Sequence, residues 1–349
     1  MSRKLNNIMF FLAGVLSVIV IGILVIGFTT WAKNRNNVPD TETVNTPADT
    51  QEQWIAKKDS SQEMTTEKWQ EGTIDYKGKK YKYNEQLKVY LLMGVDRSGK
   101  VEAATDYTKG GQSDAMFLLV ADEENHKMSI VSINRNTMVD VNTCDSKGNS
   151  LGKYKAQICV QHGFGDGKKL SCTRTVEVVE KLFYNVPISG YIAINMDAVP
   201  QINNVVGGVK VKATEDIGDI HKGQEITLSD QQAYEYLRGR NKEEYGSADK
   251  RLRRQEQFIK AFIKQVKNSS GITQTKIESI YDRIKEYTVT SVDFTRLVSA
   301  LIEYDFDEDN MYTVPGETVR GKEFEEYNVD EDAFYDLVIN VFYREVGGN

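Results

Sequence analysis

The 349-residue chain has little of what familiar catalytic and metal-binding signatures require. It holds three cysteines and three histidines. Cys144, Cys159 and Cys172 show no CxxC spacing, and His126, His162 and His221 show no metal-ligand spacing. A zinc or other soft-metal centre is therefore not expected. There is no P-loop and no GxSxG, which argues against the nucleotide-binding and hydrolase classes that use them. Internal repeats and low-complexity blocks are lacking too. So is an excess of positive charge: the net charge is -7, whereas a general nucleic-acid binder is broadly basic. No nucleic-acid partner is expected. Outside a cell one disulfide could form and would leave one thiol over; the spacing selects no pair.

What is present begins with residues 8–31, an uncharged and mostly apolar run from Ile8 to Trp31. It is long enough to span a bilayer with some tilt, and no small-residue cleavage site clearly follows it. It reads as an uncleaved single-pass anchor. Arg3 and Lys4 precede it and Lys33 and Arg35 follow, so the charge rule is nearly balanced. The short leader, residues 1–7, still favours a cytoplasmic N-terminus and an extracytoplasmic body. Residues 32–84 read as a polar linker that holds the body off the membrane, interrupted by Trp54 and Trp69.

Beyond the linker, "KVYLLMGVD" (88–96) is a continuous apolar run, the mark of a strand buried on both faces. "SDAMFLLVAD" (113–122) and "HKMSIVSINR" (126–135) predict an antiparallel hairpin around "EENH". Helices are expected at 175–183, 197–208, 229–240 (capped by Ser229) and 330–346, and strands at 190–196, 209–213 and 310–317. The mixture has no regular βα alternation. It predicts an α/β fold: a central mixed sheet with helices on both faces, preceded by the transmembrane helix.

Against the acidic whole stands one basic stretch. Arg238, Arg240, Lys242, Lys250, Arg251, Arg253 and Arg254 are set against Glu243, Glu244 and Asp249. "SADKRLRRQEQF" (247–258) predicts a helix with Ser247 as N-cap and Asp249 in its first turn. Its apolar stripe is Leu252, Phe258, Ile259, Phe262, Ile263 and Val266. At about 100° per residue, Arg251 and Gln255 fall inside the stripe, Arg254 at its border and Arg253 opposite. A guanidinium turned inward needs an anion, either a protein carboxylate or a ligand phosphate. Asp96, ending one buried strand, and Asp114, opening the next, stand where ligands bind at a sheet edge. Two such carboxylates suit Mg²⁺ or Mn²⁺, and several arginines beside them suit a pyrophosphate.

Taken in order, "LLMGVD", "SDAMFLLVAD", "SIVSINRNT", "YIAINMDAVPQINNVVGGVKV", "LSDQQAYEYLRGRN" and "RLRRQEQF" resemble the LytR-CpsA-Psr family. The resemblance covers roughly residues 85–267; 268–349 is a C-terminal extension of the same domain (85–349). Members are membrane-anchored, extracytoplasmic phosphotransferases. They move a glycopolymer from an undecaprenyl-pyrophosphate carrier to peptidoglycan with Mg²⁺; an older reading made them transcriptional attenuators. The resemblance implies the same carrier-linked polymer, peptidoglycan and membrane as partners here. It implies metal binding by Asp96 and Asp114, catalytic roles for Asp114, Arg135 and Arg238, and pyrophosphate binding by Arg240, Arg251, Arg254 and Gln255. It also implies an apolar groove between sheet and helices for the polyprenyl tail. Three positions depart from the family pattern. Asn134 and Asn136 replace the usual Pro and Asp around Arg135, and Ser98 replaces an Arg, with Arg97 adjacent. The competing expectation is a non-catalytic sensor of lipid pyrophosphate or cell wall, against which the short leader counts.

Overall fold

The structure, a computed structural model, describes residues 73–241, 244–269, 274–294 and 301–347, with the side chains of 274–278 not included. The expected anchor and most of the expected linker lie outside the described residues.

In chain order the strands begin with β1 (Ile74–Tyr76), β2 (Lys79–Tyr83), β3 (Leu87–Val95), β4 (Ser113–Asp122) and β5 (Lys127–Ile133). Next come β6 (Met138–Cys144), β7 (Ser150–Gln157), β8 (Gly190–Asn195), β9 (Lys210–Lys212) and β10 (Glu225–Thr227). The last are β11 (Thr288–Thr290), β12 (Asp305–Thr313), β13 (Gly316–Arg320), β14 (Glu325–Val329) and β15 (Tyr343–Val346). The helices that matter here are α1 (Lys169–Leu182), α2 (Ala198–Val205), α3 (Asp230–Arg238), α4 (Ser247–Asn268), α5 (Gln274–Ile284) and α6 (Glu331–Phe342).

The central sheet has the order β11-β8-β3-β4-β5-β12 and is mixed. β3, β4 and β5 form an antiparallel meander, while β8 runs parallel to β3 and β12 parallel to β5. The apolar run in β3 is explained by its two covered faces. Val89, Leu91, Met93 and Val95 join one core, which includes Val178 and Val179 of α1 and Phe334, Val338 and Phe342 of α6. Tyr90 and Leu92 face the other way, onto Leu252, Ile259 and Ile263 of α4. With a period of two, each face takes alternate side chains, so a strand covered on both sides reads as uninterrupted apolar sequence.

Several boundaries differ from expectation, each for a local reason. Ser247 is not the cap of α4. Gly246 takes that position at φ 74 and donates its N–H to Glu325 Oε1 at 2.7 Å, and Ser247 is buried in the first turn. The predicted helix 330–346 stops at Phe342, because residues 343–346 pair with β2. The stretch 310–317 is split by Pro315 into the end of β12 and the start of the β13–β14 hairpin. The fold also reaches back into the stretch assigned to the linker: β1 and β2 pair with each other and, through β2, with β15. Lys77 and Gly78 both have positive φ (49° and 77°), the geometry of a two-residue hairpin turn.

Candidate functional site

The meander brings the sequence-predicted residues to one edge. β4 runs back from the end of β3, so Asp96, just past β3, and Asp114, second in β4, meet there. Gly94 pairs with Ala115 but Val95 with Ser113, leaving Asp114 as the extra residue of a β-bulge. A bulge re-aims a side chain that regular pleating would send elsewhere. β5 ends at the same edge, two residues before Arg135.

Asp114 is held by two guanidiniums. Arg251 Nη1 donates to its Oδ2 at 2.8 Å, and Arg135 Nη1 lies 2.8 Å from its Oδ1. The second contact is an ion pair whose angle is too poor for a hydrogen bond, so the buried Oδ1 keeps an open acceptor position. Arg135 Nη2 donates to Gln112 Oε1 at 2.7 Å and to Cys159 Sγ at 2.8 Å. Arg135 and Arg251 are both buried, and Arg135 Nε and Arg251 Nη2 have no hydrogen-bond partner among the described residues. Burial pulls the Arg251 proton affinity down, opposed by Asp114 and reinforced by the charges of Arg135 and Arg240. Arg240 is likewise depressed, first by burial and then by Arg135. Two guanidiniums thus hold one carboxylate, with Arg240 in the same cavity wall and two buried guanidinium nitrogens unfilled. An unsatisfied buried donor on a charged group is costly, and an incoming anion removes that cost.

The same residues line the mouth of a cavity of about 940 Å³ between the sheet and α2, α3 and α4. Asp96, Gln112, Asp114, Arg135, Arg238, Arg240, Arg251 and Gln255 are at its polar end. Its remaining wall is mostly apolar, including Leu92, Phe117, Ile192, Phe258, Phe262, Ile263 and Phe294. Arg238 is exposed and lies over the Tyr234 ring at 5.7 Å. Gln255 donates to the Leu237 carbonyl at 3.2 Å. Asp96 Oδ1 accepts the Gln112 N–H at 2.7 Å, and the side chain is exposed.

One expected site residue is placed elsewhere. Arg254 does not line the cavity. Its guanidinium, fully buried, donates to the Tyr236 carbonyl at 2.8 Å, to the Gly239 carbonyl and to Glu215. It ties the carbonyl end of α3 to α4 and so fixes the Arg238–Arg240 turn. Arg251 and Gln255 face the cavity as the helical period predicts, and Arg253 is exposed.

Gln112 and Cys159 are the site residues that sequence reasoning missed. The only signal for Gln112 is its place in the "GGQS" loop before Asp114; Cys159 has none. All three cysteines are free and buried. Burial pushes the Cys159 thiol up, against the pull of Arg135, so it stays a thiol at the side of the site. His162 is not in the cavity wall. Burial holds its ring below the usual histidine range, and Nδ1 donates to the Gly111 carbonyl at 3.1 Å, bracing the loop that carries Gln112.

The chain is thus an α/β domain built on a central mixed sheet, with arginines gathered at one edge of that sheet. The chain belongs to the LytR_cpsA_psr family, whose model matches residues 43–338. The match therefore runs well past residue 267 and takes in most of what the sequence reading set apart as an extension. Among curated relatives, the polyisoprenyl-teichoic acid–peptidoglycan teichoic acid transferase TagU of Oceanobacillus iheyensis is 31% identical over 250 residues, 69% of this chain and 71% of that protein. The corresponding transferase TagV of Bacillus subtilis is 30% identical over 218 residues, 59% of this chain and half of that protein. The crystal structure of B. subtilis TagV superposes with a TM-score of 0.56 at 23% identity, covering 74% of this chain and 96% of that one. TagT bound to LI-WTA superposes at 0.55 with 18% identity, covering 74% and 90%. At these identities the superpositions speak to the fold.

Proposed function

We propose that this protein is a membrane-anchored extracytoplasmic phosphotransferase that moves a glycopolymer from an undecaprenyl-pyrophosphate carrier to peptidoglycan. The observation that carries this reading is the pairing of a charged mouth, with unfilled guanidinium donors, and an apolar cavity directly behind it. An amphiphile with a pyrophosphate head and a long hydrocarbon tail matches both halves. The names of the TagU and TagV relatives point the same way.

In this mechanism the tail lies along Phe117, Phe258 and Phe262, and the head group meets Arg135, Arg240 and Arg251. Arg135 Nε and Arg251 Nη2 take phosphoryl oxygens, and Arg238 at the exposed rim adds a further cation. The acceptor sugar hydroxyl attacks the phosphorus that carries the glycopolymer. The bond from that phosphorus to the bridging oxygen breaks, and undecaprenyl phosphate leaves with the electron pair. Charge grows on the leaving phosphate, where the fixed guanidiniums stabilise it without reorganisation. Asp114 Oδ1, which accepts no hydrogen bond, takes the hydroxyl proton. The donor set fits a hard divalent cation: Asp96 is an exposed carboxylate at the mouth with one oxygen committed to a backbone N–H. Among the described residues no group of three or more His, Cys, Asp or Glu side chains could hold a metal. Mg²⁺, or Mn²⁺, would thus be held by Asp96, with Asp114 as its neighbour, together with substrate oxygens. When bound it supplies charge neutralisation and polarisation of the phosphoryl group.

The test is Mg²⁺-dependent release of polyprenyl phosphate from a polyprenyl-pyrophosphate-linked sugar. Calorimetry should show little Mg²⁺ binding to the protein alone and more with a pyrophosphate ligand present; tight zinc binding would count against the site. The membrane assignment has its own test. Protease added to intact protoplasts should remove the chain beyond about residue 35, where the polar linker begins. Complete protection would place the domain inside.

A further inference from the structure

Gln112 has no role in the mechanism above, yet it joins both halves of the site. Its backbone N–H donates to Asp96 Oδ1 at 2.7 Å, and its carbonyl accepts the Asp96 N–H at 2.9 Å. Its side-chain oxygen accepts from Arg135 Nη2 at 2.7 Å. Chemistry decides which way the amide points. A guanidinium has only donors, so the oxygen faces Arg135 and the NH₂ is turned away from it. Among the described residues no acceptor is bonded to that NH₂, and Gln112 lines the cavity. The loop beneath is held in place. Gly111 sits at φ +88, where a Cβ would come within 2.6 Å of Arg97, and its carbonyl takes the hydrogen bond from His162. Gly110 donates its N–H to the Gly163 carbonyl at 2.9 Å.

We infer, on the phosphotransferase reading, that Gln112 is a further substrate-contacting residue: its NH₂ donates to a pyrophosphate oxygen while its carbonyl oxygen holds the Arg135 fork in place. It is a neutral, directional donor among cations. It therefore orients the head group without adding to the repulsion between Arg135, Arg240 and Arg251. Its backbone bonds to Asp96 place this contact beside the carboxylate assigned to the metal.

The experiment measures binding of farnesyl pyrophosphate with Mg²⁺ to the full chain and to Gln112→Met and Gln112→Glu. Methionine keeps length and volume but loses donor and acceptor. Glutamate keeps an acceptor for Arg135 but loses the NH₂ and places a carboxylate against the anion. The expected result is affinity about tenfold lower for Gln112→Met, the size of one hydrogen bond. The loss should be larger, on the order of a hundredfold, for Gln112→Glu, with the melting temperature of each near that of wild type. If the wild-type chain binds farnesyl pyrophosphate and Gln112→Glu binds within about twofold of it, the role of Gln112 is overturned and the phosphotransferase reading stands. If the wild-type chain itself does not bind, that reading falls and this inference with it. Should Gln112→Met unfold, Gln112→Glu, nearly isosteric, decides alone.

Discussion

Arg251→Ala should lower turnover of a polyprenyl-pyrophosphate donor by a factor on the order of ten to a hundred, while Arg253→Ala should stay within about twofold. The two residues are two positions apart and chemically identical, and helical geometry sets them about 160° apart. Arg251 is 4% exposed, with one nitrogen on Asp114 and Nη2 unfilled at the cavity. Truncation removes a charge-assisted contact worth roughly 1.5–3 kcal/mol to the bound anion. Asp114 still keeps Arg135, so it is not left as an unpaired buried charge. Turnover and pyrophosphate affinity should therefore fall with the melting temperature little changed. Equal losses in both variants, or a lower melting temperature with binding intact, would make Arg251 a structural partner of Asp114.

Arg254→Ala should behave in the opposite way, with stability lost first. Its guanidinium is 1% exposed and bonded to Glu215 and to two carbonyls at the end of α3. Removing one partner of a buried charged cluster costs about 3–5 kcal/mol. In a domain of this size that lowers the melting temperature on the order of 10 °C. Glu215→Gln, which keeps an oxygen for Arg254, should cost clearly less. Denaturant melts of both variants check this, alongside pyrophosphate affinity measured well below the transition. A stable Arg254→Ala protein that cannot bind pyrophosphate would return Arg254 to the ligand set.

The sequence legibly specified elements whose causes are local. β3 and β4 were readable because both faces are covered, which forces unbroken apolar runs. The facing of Arg251, Gln255 and Arg253 was readable because a helix has a fixed period. The capping box at Ser229 was likewise present in the sequence, with Gln232 three residues on, and the structure forms it. The β1–β2 hairpin was signalled by alternating apolar positions around Lys77-Gly78, but the polar composition of the region outweighed that signal.

What only the tertiary structure decided depends on partners far away in the chain. Arg254 sat at the border of the helical stripe, where period alone cannot separate a ligand residue from a buried clamp. The choice was made by Glu215 and the open carbonyls of α3. The end of α6 at Phe342 was set by a free edge at β2, more than two hundred residues earlier, which offered backbone partners to 343–346. The inward arginines needed an anion, and the sequence left a carboxylate and a phosphate equally open. The β-bulge at Asp114 resolved it by aiming one carboxylate between two guanidiniums and leaving further donors unfilled. Composition and periodicity determine what a residue can pair with and which way it faces. Register and long-range packing determine which partner arrives and which donors are left for a ligand.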